Sequence, residues 1–257
     1  MDRDREEDSN DAIAARRWRR PGRCTRPVSG AGRKRPRDTR PPSLMREDDM
    51  DRHPALPIRL PLIAILRGIT PDEVASHVGA LVEDGFDAIE IPTNSPDWAR
   101  SVAISVRECG AHASIGAGTV LEAAQVDALL AAGGTLAVTP NVRPAVIRHA
   151  VERGLQVVAG FGTASEAFDA LEAGAQSLKL FPASVYGPAM VRALRSVLPP
   201  VPLFAVGGIT PDTLPVYLDA GCQGAGIGGE LYRPGQSVEH TRTQARRFRQ
   251  AWMDHAA

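Results

Sequence analysis

From residue 57 onward, short apolar runs alternate with longer helix-like segments. The runs read as strands: LIAIL near 62–66, AIEI near 88–91, ASIGAG near 113–118, LAVTP near 136–140, QVVAGF near 156–161, SLKLF near 177–181, LFAVGG near 203–208 and GAGIGG near 224–229. Helix signals fall between them. TPDEVASHVGALVEDG offers Thr70 as N-cap, Pro71 at the first helical position, early acids, and Gly85 as a stop. ITPDTLPVYLDAG repeats that opening at Thr210-Pro211-Asp212. TASEAFDALEAG pairs a Ser or Thr cap with Glu166, and Ala-Gly closes several segments as left-handed caps do. A βαβα pattern argues for a parallel sheet. Eight such units predict an α/β fold, a (β/α)8 TIM barrel, with an open doubly wound sheet as second choice. No GxGxxG follows the first strand, which weakens a dinucleotide fold.

The barrel pattern leaves residues 1–55 outside it. That stretch is rich in Arg, Pro and Gly and lacks periodicity. It buries too little apolar surface to offset its ordering entropy, so it reads as a disordered extension, with Met45 or Met50 as a possible true start. The competing reading is a basic arm for nucleic acid, or a targeting segment. The domain division is therefore 1–55 and 56–257. Lys+Arg outnumber Asp+Glu by 15 to 11 in the first part and are outnumbered by 19 to 15 in the second, for zero net charge. Nothing global points to nucleic acid or membrane. The three cysteines are widely spaced without CxxC, which argues against a disulfide framework and fits a reducing cytoplasm. No apolar run reaches the ~18 residues needed to span a bilayer, and no signal-peptide h-region is present.

Candidate chemistry sits at the C-terminal strand ends, where barrel active sites lie. Lys34 and Lys179 are the only lysines among 30 Lys+Arg. Strand alternation directs Lys179 into the barrel if Leu178 and Leu180 pack outward, and Glu90 likewise between Ile89 and Ile91. Desolvation there favours a neutral amine, which attacks carbonyls to form a Schiff base. Arginine cannot do this, because its guanidinium stays protonated. The alternative is a Lys–Glu ion pair that merely fills the barrel. Gly207-Gly208 and Gly228-Gly229 end the last two strands, where backbone N–H groups bind phosphate in many TIM barrels; tight turns are the alternative. The six histidines show no ligand spacing, so no metal is expected.

GAQSLKLFPASVYG resembles the Schiff-base lysine motif of the 2-keto-3-deoxy-6-phosphogluconate / 4-hydroxy-2-oxoglutarate aldolase family. LPLIAILRGITPDE, GFDAIEIPTNSP, IGAGTVL, AVTPN, FAVGGITPD and GELYRPGQSVE follow in the family's order, covering residues 60 to about 252. EIPTNSPDW, with Pro92 and Asn94, resembles the galactonate branch, although Thr93 stands where that branch often has Leu. The gluconate epimer is the alternative substrate; a non-catalytic sugar-phosphate-binding barrel is a more distant one, and a phosphate-binding barrel isomerase or synthase without an imine is another. The resemblance implies Lys179 as the imine lysine and Glu90 as general acid and base. It implies Arg67 and Thr119 on the substrate carboxylate, Pro140 and Phe181 as walls, and Gly207, Gly208, Gly228 and Gly229 on the phosphate. It further implies a phosphorylated keto-deoxy sugar acid as substrate, no cofactor, and a homotrimer.

Overall fold

The computed structural model describes residues 58–256. The extension expected at 1–55 lies outside the described residues. Strands β1 (Leu62–Ile65), β2 (Ala88–Pro92), β3 (Ser114–Gly118), β4 (Leu136–Val138), β5 (Gln156–Phe161), β6 (Ser177–Leu180), β7 (Leu203–Val206) and β8 (Gly224–Ile227) form a closed parallel barrel in chain order. The ring closes where Leu62, Ile63 and Ala64 pair with Ala225, Gly226 and Ile227. Helices α1 (Val74–Glu83), α2 (Trp98–Cys109), α3 (Ala123–Ala131), α4 (Pro144–Glu152), α5 (Ala164–Glu172), α6 (Ala183–Arg195), α7 (Leu214–Asp219) and α8 (Val238–Ala256) follow the strands in turn. This is the TIM barrel that the alternating pattern predicts. No helix among the described residues is long and apolar enough to cross a membrane.

Several strands stop short of the apolar runs that mark them. β4 ends before Thr139-Pro140 and β6 before Phe181-Pro182, and proline has no N–H for the ladder. β7 ends before Gly207 and Gly208, whose φ values of 99° and 73° leave the extended region. The polar strand ends are thus loops above the barrel.

Helix starts also differ from expectation. Thr70 does not cap α1: residues 71–73 form a turn, and the helix begins at Val74 with Glu73 at its N-cap. Glu73 instead accepts the Thr70 N–H at 3.1 Å. The second TPD segment behaves likewise, α7 starting at Leu214 after Thr213. At α5 the cap is Thr163, whose hydroxyl accepts the Glu166 N–H while Glu166 accepts that of Gly162. Gly85, Gly133, Gly174 and Gly221 all have positive φ just past helix ends.

The pleat divides the apolar side chains into two layers. Ile89, Ile91, Leu178 and Leu180 belong to the large cluster between sheet and helices. Ile63, Ile65, Ala88, Leu136, Val138, Val158, Phe204 and Val206 fill the barrel interior, with Ile58 packed beneath. Gly226 makes room for its bulky neighbours: a Cβ there would lie 2.8 Å from a Val206 methyl. Complete burial of one such Leu or Ile contributes roughly 1.5–3 kcal/mol.

Candidate active site

Lys179 and Glu90 occupy inward positions on strands on opposite sides of the ring. In register, Lys179 lies between Gly160 and Phe204, and Glu90 between Ile65 and Gly116. Both are almost wholly buried, at 5% and 2% exposure. They line one cavity of about 440 Å³ at the C-terminal mouth. Among the described residues Lys179 forms no salt bridge, with Glu90 or any other carboxylate. That disfavours the barrel-filling ion pair. The ammonium instead sits 5.3 Å from the centroid of the Phe181 ring.

Burial controls the ionisation of both groups. Desolvation lowers Lys179 to about 8; Glu90 opposes that change and Arg67 adds to it. Desolvation raises Glu90 to about 7, against the pull of Lys179 and Arg67. An amine and a carboxylate that both titrate near neutrality can exchange protons with a substrate at little cost. Among the described residues the buried Glu90 Oε2 atom has no hydrogen-bond partner, an acceptor position for a substrate hydroxyl or a water.

Gly118 explains how that carboxylate fits. A Cβ at this position would stand 1.6 Å from Glu90 Oε2 and 2.1 Å from its carboxyl carbon. The carboxylate therefore lies directly over the Gly118 backbone. No catalytic motif points to this residue. Its signal is a glycine pair inside a strand, GAG, which marks close approach by another group.

The rest of the cavity has two polar sides. On the β1–β3 side, Arg67 donates to Asn94 Oδ1 at 2.6 Å and to Thr119 Oγ1 at 3.4 Å. Thr119 has φ 56°, in the left-handed region, an uncommon conformation for a β-branched residue and one associated with functional strain. A guanidinium and a hydroxyl held together suit a carboxylate. Asn94, which the sequence marks only as a branch signature, supports Arg67 here.

On the β6–β8 side lie Phe181 and the four glycines. Gly208 is pressed against Ser184: a Cβ on Gly208 would lie 2.7 Å from the Ser184 Cβ, so turn geometry alone accounts for it. Gly228 and Gly229 are different. Neither has positive φ, and a Cβ at either would meet nothing within 4 Å. No internal crowding requires glycine there, whereas a ligand pressing on the backbone would. Among the described residues, the N–H groups of Gly208 and Gly229 donate in no turn or loop hydrogen bond. Pro140 completes the wall, supported by Thr139, whose hydroxyl accepts the Gly160 N–H at 3.1 Å and donates to the Asn141 carbonyl at 2.8 Å. Sequence patterns do not single out Ser184 or Arg233. The Ser184 N–H donates to the Gly207 carbonyl and Arg233 Nε to the Gly229 carbonyl, so each anchors one glycine loop. All ten residues expected in the site line this cavity, together with Ile65 and Val206. Among the described residues no group of three His, Cys, Asp or Glu side chains could hold a metal.

Comparison with known proteins places this geometry. The family model for KDPG and KHG aldolase matches residues 57–245. The 2-dehydro-3-deoxy-6-phosphogalactonate aldolase of Escherichia coli (strain K12) is 57% identical over 197 residues, covering 76% of this chain and 96% of that protein. A solved structure described as native KDPGal superposes with a TM-score of 0.78 at 55% identity, over 79% of this chain and 98% of that one. A chain from a cube-shaped protein cage designed by fusing symmetric oligomeric domains has a TM-score of 0.76 at 56% identity, covering 77% and 74%. A barrel with a lone buried lysine facing a buried glutamate, matched along nearly all its described length, belongs to the KDPG and KHG aldolase family.

Proposed function

We propose that this chain is an imine-forming aldolase that cleaves 2-dehydro-3-deoxy-6-phospho-D-galactonate to pyruvate and D-glyceraldehyde 3-phosphate. The observation that carries the reading is the desolvated Lys179, in no salt bridge among the described residues, sharing a cavity with the desolvated Glu90. The galactonate epimer is supported by the 57% identity to the Escherichia coli enzyme. The gluconate epimer is the competing substrate.

The neutral Lys179 amine attacks the C2 ketone, and the carbinolamine loses water and takes up one proton from solvent, leaving a protonated imine. Arg67 and Thr119 hold the adjacent carboxylate. Glu90, directly or through a water, takes the proton of the C4 hydroxyl. The C3–C4 bond then breaks, its electron pair passing into the imine to give an enamine, and glyceraldehyde 3-phosphate departs. Glu90 returns the proton to C3 of the enamine. Water hydrolyses the resulting imine, freeing pyruvate and the amine. The N–H groups of Gly207, Gly208, Gly228 and Gly229 hold the phosphate until glyceraldehyde 3-phosphate departs, while Pro140 and Phe181 shield the imine.

Borohydride reduction with pyruvate should leave a covalent adduct on Lys179 alone, seen by mass spectrometry of peptides. Absence of the adduct, or its appearance elsewhere, would sink the imine mechanism. Pyruvate release from the two epimers, side by side, should favour the galactonate. The domain 56–257 carries this activity by itself, so removal of residues 1–55 should leave trapping and turnover unchanged. We also propose that the enzyme works in the cytoplasm as a homotrimer. Support comes from the buried free thiols Cys109 and Cys222, the exposed apolar Val185 and Tyr186, and the oligomeric cage chain similar to this one. Light scattering should return three times the chain mass; a monomer would refute it.

A further inference from the structure

Thr93 stands on the loop after β2, outside the cavity, yet it grips the left-handed threonine of the site. Its N–H donates to the Gly118 carbonyl at 2.8 Å, and its hydroxyl donates to the Thr119 carbonyl at 2.7 Å. Two successive carbonyls of the β3 exit are thus held by one residue. Gln125 completes the arrangement. Its amide donates to Thr93 Oγ1 at 3.3 Å, and its carbonyl oxygen accepts the N–H groups of Leu121 and Glu122. With Gln125 supplying a proton to Oγ1, the Thr93 hydroxyl hydrogen is free to point at the Thr119 carbonyl.

A left-handed threonine is strained and persists only where its surroundings hold it. In that conformation the Thr119 hydroxyl faces Arg67 and accepts from it at 3.4 Å. We propose that Thr93, oriented by Gln125, is a positioning residue for substrate-carboxylate binding. It fixes the backbone of Thr119 so that the Thr119 hydroxyl and the Arg67 guanidinium present one preformed clamp. The inference rests on the reading above that Arg67 and Thr119 hold the carboxylate. Neither Thr93 nor Gln125 needs to touch the substrate.

The test compares Thr93→Val, Thr93→Ser and Arg67→Met by cleavage kinetics and by pyruvate inhibition. Valine keeps the shape and removes the hydroxyl. Thr93→Val should raise KM and the pyruvate inhibition constant about fivefold, the effect of one lost hydrogen bond, with kcat within about twofold of the parent. Thr93→Ser should restore parental values. Arg67→Met should raise both constants about 10- to 100-fold, as loss of a charged partner does. If Arg67→Met acts so and Thr93→Val leaves both constants unchanged, the positioning role is wrong and the carboxylate reading stands. If Thr93→Val lowers only kcat or thermal stability, the residue maintains the fold and the proposal fails. If Arg67→Met changes neither constant, the carboxylate reading itself fails and takes the proposal with it.

Discussion

The two ends of the barrel interior use the same strands and the same alternation for opposite purposes. On β2, Ala88 and Glu90 share the inward face, and on β5 Val158 and Gly160 do. Two residues of rise, about 7 Å, separate each pair. At the lower level Ile63, Ala88, Leu136 and Val158 pack over Ile58 without a polar atom among their side chains. At the upper level a lysine and a glutamate border a cavity, and three residues are glycine so that neighbours can approach: Gly118 under Glu90, Gly160 against Pro140, and Gly226 against Val206. The lower row stabilises the barrel. The upper row spends that stability on two desolvated ionisable groups. A rigid apolar floor is what allows them to stay desolvated.

Substitutions at the two levels should therefore separate chemistry from stability. Lys179→Met should abolish turnover, by at least ~10⁴-fold, since the nucleophile is gone. Its thermal midpoint should rise, because a buried charge in no salt bridge among the described residues has been replaced by an apolar chain of similar length. Residual turnover above that level would return Lys179 to a structural role. Leu136→Ala, one level down, should do the reverse: a loss of about 2–5 kcal/mol in urea unfolding, with the kcat of the folded enzyme unchanged.

Gly118→Ala probes the boundary between the levels. The added methyl displaces the Glu90 carboxylate, so kcat should drop about 10- to 100-fold, the size of a misplaced general base. An unchanged kcat would show that the carboxylate works equally well elsewhere in the cavity.

The smallest effect is the pH profile. The proposed mechanism requires a neutral Lys179, lowered to about 8, and an ionised Glu90, raised to about 7. Both active forms are deprotonated. Lowering the pH through 8 and then 7 should therefore reduce kcat/KM more steeply than one ionisation allows, and the two apparent constants belong to the coupled pair. Glu90→Gln should leave a single-proton slope on its residual rate. A parental profile flat from pH 6 to 9 would contradict the burial argument.

Much of this is legible in the chain itself. The eight apolar runs locate the strands, because a parallel barrel strand needs a short apolar run whichever partner it finds. Leu178 and Leu180 give Lys179 its direction through a purely local rule, the pleat. Differences gather at boundaries. Thr70 looks like a cap, but the chain makes one more turn before α1: the Glu73 N–H goes to the Thr70 carbonyl and not to its hydroxyl, and the Glu73 side chain accepts the Thr70 N–H. Gly118 escapes a motif search because its reason is a side chain on another strand, 28 positions earlier in the chain.

By itself, the sequence determined the order of elements, the outward and inward rows, and the one lysine that the barrel pattern contains. These depend on neighbours one to four residues away, where backbone geometry sets the outcome. Tertiary structure decided the rest. It brought Glu90 and Lys179 to one cavity, buried them enough to move both ionisations toward neutrality, and cleared the space over Gly118. It also bent Thr119 into a left-handed turn under the grip of Thr93. Each of these is a through-space effect of desolvation, excluded volume or a hydrogen bond between distant strands, so no local pattern in the chain encodes it.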